Sequence, residues 1–268
     1  MRALMLAAGL GRRLYGDENE ELPKALLKFD GQTLLQRHID TLVACGIHEL
    51  TLVVGHRSDD ILDEAHRVAP EGFVKSVFNP RYREGPKLSL AAGEAVLRSG
   101  DPVIFMDADV LYHPELMERL VTSDHDTCFI MDREFQSTDD FVKVCLRDDR
   151  IVDFGKQIGE THDTVGEWPG FFKMSADVAS AIAVSVEGFI ARGNVEGAYE
   201  EAFREVLVES TPGTFGHEDI TGIPWVEIDF ENDLEKATTR IFPRITDFQN
   251  DDQGDEKPGV RKIKIRSA

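Results

Sequence analysis

Apolar residues fall along this chain in short runs that alternate with longer stretches of helical spacing. Residues 2–6 form the first run, followed by a predicted helix over 32–45 and a strand at 49–54, whose Thr-Leu-Val-Val is β-rich. The pattern continues with a helix over 58–67, a strand at 73–78, a helix over 87–98 and a strand at 102–107. Gly46, Gly55 and Gly100 stand where helices end or strands turn. Strands separated by helices of this length are joined by right-handed crossovers. That predicts an α/β arrangement, with a mostly parallel sheet covered on both faces.

After residue 125 the pattern changes. Strands are expected at 126–132, 142–147, 151–156 and 167–174, with little helix between them. Asp148-Asp149, set between two alternating runs, reads as a hairpin turn. Helices over 175–192 and 197–209 flank Gly193, and a last strand at 224–229 leads into a helix from 231. One domain over 1–240 is expected, made of a parallel half (about 1–125) and a mixed half (about 126–240) facing one cleft. Residues 241–268 are expected to be a mobile tail, acidic and amide-rich at 247–256 and basic at 257–268.

The first run leads into Leu6-Ala7-Ala8-Gly9-Leu10-Gly11-Arg12-Arg13-Leu14, with Leu22-Pro23-Lys24-Ala25-Leu26 soon after. A strand ending in a glycine-rich turn lets backbone N–H groups approach a polyphosphate unobstructed. Arg13 adds a planar two-pronged donor and Lys24 a more mobile charge. The spacing excludes two other phosphate cradles. Gly11-x4-Gly16 is followed by Asp17 where the P-loop needs lysine, and Leu14 stands where the dinucleotide fingerprint needs its third glycine.

Acidic pairs end two predicted strands. Val103-Ile104-Phe105-Met106 runs into Asp107-Ala108-Asp109, and Pro224-Trp225-Val226 runs into Glu227-Ile228-Asp229. The carboxyl ends of strands are where α/β sheets place their ligands. Hard oxygen donors of this kind suit Mg²⁺, which takes further contacts from substrate phosphates. The eight histidines form no nucleophile–base arrangement and are read as surface residues.

L-A-A-G-x-G-x-R-L with a later P-K-A-L resembles the signature of the sugar-phosphate and alcohol-phosphate nucleotidylyltransferases. These transfer NMP from an NTP to a phosphorylated acceptor and release pyrophosphate. Val77-Phe78-Asn79-Pro80, the Asp-Ala-Asp form and Trp225-Val226-Glu227-Ile228-Asp229 resemble the phosphocholine and 2-aminoethylphosphonate cytidylyltransferases in particular. The resemblance implies a GT-A-like (Rossmann-like) three-layer sandwich with a mostly parallel mixed central sheet. It further implies a CTP-dependent cytidylyltransferase acting on a small phosphorylated or phosphono alcohol, with Mg²⁺ as cofactor.

Residue by residue, the resemblance assigns Arg13 and Lys24 as catalytic cations. Leu6, Ala7, Ala8, Gly9, Gly11, Ser89 and Asp107 join them around the nucleotide. Asp109 and Asp229 become the metal ligands, with Asp107 assisting through water. Lys156, Gly170, Tyr199, Trp225, Glu227 and Asp132 fall on the acceptor side, where aromatic faces and carboxylates, including Trp168, Glu167 and Glu200, would suit a cationic amine. Arg83-Glu84-Gly85-Pro86-Lys87 departs from the phosphocholine pattern, which has an Asn-rich stretch there. A phosphonate or another small alcohol is therefore at least as well supported as phosphocholine. A sugar-1-phosphate nucleotidylyltransferase and a nucleotide-binding regulatory protein without turnover are the alternatives.

Composition narrows the partners. With 50 Asp and Glu against 30 Lys and Arg, the net charge of −20 repels nucleic acid and anionic lipid. An anionic substrate must then meet a local cationic cluster, for which Arg12, Arg13, Lys24 and Lys28 are candidates. No run approaches the ~20 apolar residues of a membrane span, and residues 1–9 are too short and too soon interrupted by Arg12-Arg13 for a signal peptide. Cys45, Cys128 and Cys145 have neither metal-ligand spacing nor a disulfide framework, so a cytoplasmic protein is expected. Assembly into a homo-oligomer is left open.

Overall fold

The first apolar run becomes the strand Arg2–Ala7, and the rest of the α/β core is laid out from it. The computed structural model describes residues 1–16, 21–135 and 141–251. Within these residues a seven-stranded sheet has the order Gly216–Asp219, Cys128–Met131, Phe171–Met174, Val103–Asp107, Arg2–Ala7, Leu50–Val54, Val74–Phe78. Phe171–Met174 is antiparallel to both neighbours, and the other pairings are parallel. The pleat sorts side chains to two cores. Ala3, Met5 and Ala7 pack with Leu35, Ile39 and Leu42 of the helix Leu34–Ala44, while Leu4 and Phe105 pack with Ile182 and Phe203 from the helices Ala176–Ala191 and Glu200–Glu209. Three layers with a mostly parallel mixed sheet result.

Several elements differ from the sequence expectation. The helix expected over 32–45 starts at Leu34, because Gln32–Thr33 pairs with Lys28–Phe29 and the Thr33 hydroxyl caps the helix by accepting from the Gln36 amide. The helix over 87–98 is two helices, Pro86–Ala92 and Glu94–Leu97, divided at Gly93. The run 167–174 belongs to two strands: Thr164–Glu167 joins Lys143–Arg147 and Arg150–Gly155 in a separate small sheet, and Phe171–Met174 enters the main one. Asp148 and Asp149 turn that hairpin with φ of 51° and 60°. The strands Val110–Tyr112 and Gly216–Asp219 and the helix Glu115–Thr122 were not expected; Gly216–Asp219 is polar and lies at a sheet edge, so it carries no apolar alternation.

The expected boundary at residue 240 is corrected. Helix Glu231–Lys236 continues through a wide turn at Ala237–Ile241 into Phe242–Asp251. Ala237, Ile241 and Ile245 recur at helical spacing and pack against Phe29, Leu34, Leu111, Val226 and Ile228. The basic stretch 257–268 lies outside the described residues. Among the described residues no helix is long and apolar enough to cross a membrane.

Two contacts shape the cleft. Trp225–Glu227 pairs antiparallel with Val110–Tyr112, and the Ile228 amide donates to the Asp109 carbonyl at 3.0 Å. This pairing carries Asp229 to Asp109. On the other side, buried Asp153 in the small sheet accepts from Arg204 at 2.7 Å and from the amides of Phe154, Gly159 and Glu160, tying that sheet to helix Glu200–Glu209.

Burial alone would push the Asp153 carboxyl up, but Arg204 and the three amides outweigh it and hold it below the usual value. A depressed carboxyl stabilises the fold above its unfolded pKa, and that contribution is lost as pH falls through the folded value. Asp153→Ala should cost about 3 kcal/mol in urea unfolding at neutral pH. The difference from wild type should shrink below about pH 4.

Candidate active site

A cleft of about 610 Å³ opens at the carboxyl ends of the parallel strands. One wall comes from the turn after the first strand (residues 6–13), from Pro23, Lys24 and Ala25, and from the 82–89 segment; Phe141, Val142, Lys156, Glu167, Trp168, Gly170 and residues 197–200 form the other. Asp107, Asp109, Glu227 and Asp229 lie between them. Gly11 makes the turn with φ +67° immediately before the short helix Arg12–Tyr15, and a Cβ there would press on the Tyr15 ring at 3.0 Å.

The cleft holds a charged cluster drawn from three distant stretches of chain. Lys24 Nζ donates to Asp109 Oδ2 at 3.1 Å and to Asp229 Oδ1 at 2.7 Å, while Arg13 pairs with the other Asp229 oxygen at 2.8 Å. Burial works against the Lys24 charge, but Asp109 and Asp229 more than offset it and raise its pKa. Beneath the acidic turn lies His38, fully buried between the Ala108 carbonyl and the Tyr112 hydroxyl. Its burial pushes the ring down to about 4, so it is neutral at pH 7. The surface reading of this histidine is thus corrected: His38 shares the apolar helix face of Leu34, Leu35, Ile39 and Leu42.

The remaining carboxylates are held above their ordinary range. Asp107 is raised by burial and by Asp109, and the Tyr199 hydroxyl donates to it. Glu227 is raised by its place on the cleft floor and by Asp109, Asp229 and Asp107. Enclosure raises Glu200 and pushes Glu167 up to about 7. Six carboxyl groups, of Asp107, Asp109, Glu167, Glu200, Glu227 and Asp229, thus line the cleft around Lys24 and Arg13.

The profile of the MobA-like NTP transferase domain matches residues 3–153, more than half of the chain. This chain belongs to that family. A bifunctional IPC transferase and DIPP synthase of Rubrobacter xylanophilus is 29% identical over 244 residues, covering 90% of this chain and 52% of that protein. A CMP-5'-(3-aminopropyl)phosphonate synthase of Streptomyces rubellomurinus is 25% identical over 257 residues, covering 91% of this chain and 39% of that protein. The chain thus spans about half or less of the length of these relatives. The inositol-1-phosphate CTP transferase from T. maritima has the same fold, with a TM-score of 0.72 at 21% identity over 91% of this chain and 96% of that one.

In this NTP transferase domain the expected nucleotide-side residues Leu6, Ala7, Ala8, Gly9, Gly11, Arg13, Lys24, Ser89 and Asp107 all line the cleft. Ser89 accepts from Asn79 Nδ2 at 3.1 Å, which leaves its O–H as a donor. Lys156, Gly170, Tyr199 and Glu227 line it as well, and the Asp107 amide donates to the Gly170 carbonyl at 3.1 Å. Trp225 and Asp132 do not. The Trp225 indole N–H donates to Asp132 at 2.9 Å, and both line a neighbouring cavity of about 510 Å³ that meets the cleft at Glu167, Glu227 and Asp229. Trp168 lines the cleft but is nearly buried, with its N–H given to the Phe171 carbonyl. Lys28 is exposed on its short strand and absent from the lining, whereas Tyr82, Phe141 and Arg83, the last noted only within a departing segment, line it without having been assigned a site role. No motif or periodicity marks those three in the sequence.

Asp109, Glu227 and Asp229 bring one carboxylate oxygen each to within 4.8 Å of one another. An all-oxygen, strongly anionic set of this size fits a divalent cation such as Mg²⁺. Glu227, assigned to the acceptor side from sequence, stands with the two metal candidates. Asp107 is engaged by Tyr199 instead.

Binding to the folded state alone stabilises it, so Mg²⁺ at about 100 times its Kd should add about 2.7 kcal/mol. At about 2–4 °C per kcal/mol, thermal denaturation should show a rise of about 5–10 °C over EDTA. Asp109→Asn should remove most of that rise. Lys24→Met, which removes the internal cation, should enlarge it.

Proposed function

We propose that this protein transfers CMP from CTP to a small phosphorylated or phosphono alcohol and releases pyrophosphate. The observation carrying this reading is Lys24 bonded to both Asp109 and Asp229, with Arg13 beside them at the glycine turn. Phosphate-binding cations and oxygen donors for a divalent ion thereby meet between a nucleotide wall and an acceptor wall. The relatives support the same class: one is named for making a CMP-linked phosphonate, and the structural neighbour is an inositol-1-phosphate CTP transferase.

The reaction needs no catalytic base. A phosphate monoester has its second pKa near ~6, so its attacking oxygen is already largely deprotonated at neutral pH. That oxygen bonds to the α-phosphorus of CTP as the bond to the β-bridging oxygen breaks and pyrophosphate carries the electron pair away. Arg13 draws the β- and γ-phosphates, and Lys24 neutralises charge near the α-phosphate. Mg²⁺ held by Asp109, Asp229 and Glu227 would supply further neutralisation of phosphate oxygens. The backbone of residues 6–9 and the Ser89 hydroxyl flank the nucleoside. Lys156 meets the acceptor phosphate.

The acceptor wall has a chemical preference. Glu167, Glu200 and Tyr199 line the cleft together with Lys156, and carboxylates with an aromatic face favour an acceptor bearing a cationic amine over a neutral sugar. Free Cys45, Cys128 and Cys145, two of them buried and all with thiols pushed up to about 11, fit work in a reducing cytoplasm.

Pyrophosphate release across four NTPs and a panel of phosphorylated alcohols, phosphonates and sugar 1-phosphates tests the reading. CTP with an amine-bearing acceptor should be fastest; a neutral sugar phosphate turned over faster would shift the assignment to a sugar-1-phosphate enzyme. Lys24→Ala should lower kcat by about 10²–10³ with a smaller change in CTP KM. Asp109→Asn and Asp229→Asn should each abolish turnover, and the double variant should be little worse than either.

Acceptor pH dependence gives an independent check. Glu167 attracts an amine when ionised, so acceptor kcat/KM should rise as pH passes about 7, where its carboxyl titrates. Glu167→Gln should flatten that step while the acceptor's own inflection near ~6 persists.

A further inference from the structure

The 83–87 segment, where this chain departs from the phosphocholine pattern, carries a lysine with no exposed side-chain surface. Lys87 Nζ donates to Asn194 Oδ1 at 3.1 Å, to the Glu196 carbonyl at 2.9 Å and to Glu201 Oε2 at 3.1 Å, and lies 4.8 Å over the Phe189 ring. Those three bonds use every ammonium donor. All three acceptors come from one segment, 107 to 114 residues further along the chain. The approach is close as well: a Cβ on Gly85, whose φ is +152°, would fall 2.0 Å from the Val195 carbonyl oxygen.

The clamped segment turns at Gly197 and presents Tyr199 and Glu200 to the cleft, with Tyr199 reaching Asp107. On the helix that begins at Pro86, Lys87 faces this segment and Ser89 faces the nucleotide side of the cleft. For stability alone an apolar side chain of similar volume would serve as well as a buried ammonium. What the ammonium adds is direction, because three bonds to fixed atoms set where the segment lies.

We infer that Lys87 is a positioning residue for the acceptor. Through Asn194, Glu196 and Glu201 it fixes the segment carrying Tyr199 and Glu200, and so sets acceptor affinity without touching CTP. The inference rests on the transferase reading above for its kinetic consequence. The clamp itself does not.

The test compares wild type, Lys87→Met and Glu201→Gln by amide hydrogen exchange and by steady-state kinetics with CTP and 2-aminoethylphosphonate, or whichever amine-bearing acceptor wild type turns over fastest. Exchange should quicken at 194–201 in both variants and stay unchanged at 107–109. Acceptor KM should rise about tenfold, with CTP KM held within about twofold and kcat at saturating acceptor within about threefold. Unchanged exchange at 194–201, or a CTP KM that rises in step with the acceptor's, would overturn the inference. Should Lys87→Met fail to fold, Glu201→Gln, whose side chain is 46% exposed, carries both measurements. If wild type releases no pyrophosphate with any acceptor, the transferase reading falls, and exchange at 194–201 alone decides for or against the clamp.

Discussion

The Lys24 ammonium, bonded at once to Asp109 and Asp229, is the interaction on which the site depends. Two carboxylates 120 residues apart in sequence repel when brought together in a partly enclosed cleft, and a cation between them turns that repulsion into attraction. Asp107 and Glu227 beside them are pushed well above their ordinary range, by burial first and then by these neighbouring carboxylates. The carboxylates of Asp109, Glu227 and Asp229 together fit a divalent cation, which would in turn favour the phosphates of an anionic substrate. A local arrangement of this kind is what an anionic ligand would need on a chain of net charge −20.

The sheet's one reversed strand explains why two walls meet there. Because Phe171–Met174 runs against its neighbours, its first residues lie at the edge where Arg2–Ala7 and Val103–Asp107 end. The chain between Met131 and Phe171 must therefore leave and re-enter at that same edge. It does so through the small sheet of Lys143–Arg147, Arg150–Gly155 and Thr164–Glu167, which brings Lys156 and Glu167 to the cleft that the glycine turn also lines. Asp153 with Arg204, and Lys87 with the 194–201 segment, then fasten this second wall to the helices behind it. The wall carrying Lys156 and Glu167 is thus held by ionic contacts to the helices, whereas the wall at the glycine turn is held by the parallel sheet.

Much of this was legible in the sequence wherever the signal is local. Periodicity located the parallel strands and most helices, because a strand buried on both faces and an amphipathic helix each leave a repeating mark. The glycine turn, Arg13, Lys24 and the Asp-Ala-Asp form were readable because phosphate and metal chemistry need particular side chains at close spacing. Val110–Tyr112 was not legible: three residues are too few to show a period, yet their pairing with Trp225–Glu227 is what unites Asp109 with Asp229.

The sequence by itself determined the fold class and the family, and it marked the candidate residues for phosphate chemistry. Tertiary structure decided which of them share one space. Trp225 and Asp132 looked suited to an acceptor but satisfy each other in the next cavity, while Glu227 moved from the acceptor side to the metal candidates. His38 was read as a surface residue and is buried, as are Lys87 and Asp153, each supporting the cleft from behind. The physical reason is common to all of them. A polar side chain takes its role from the partner that pays for its desolvation, and here those partners lie tens to more than a hundred residues away, where no local pattern reaches.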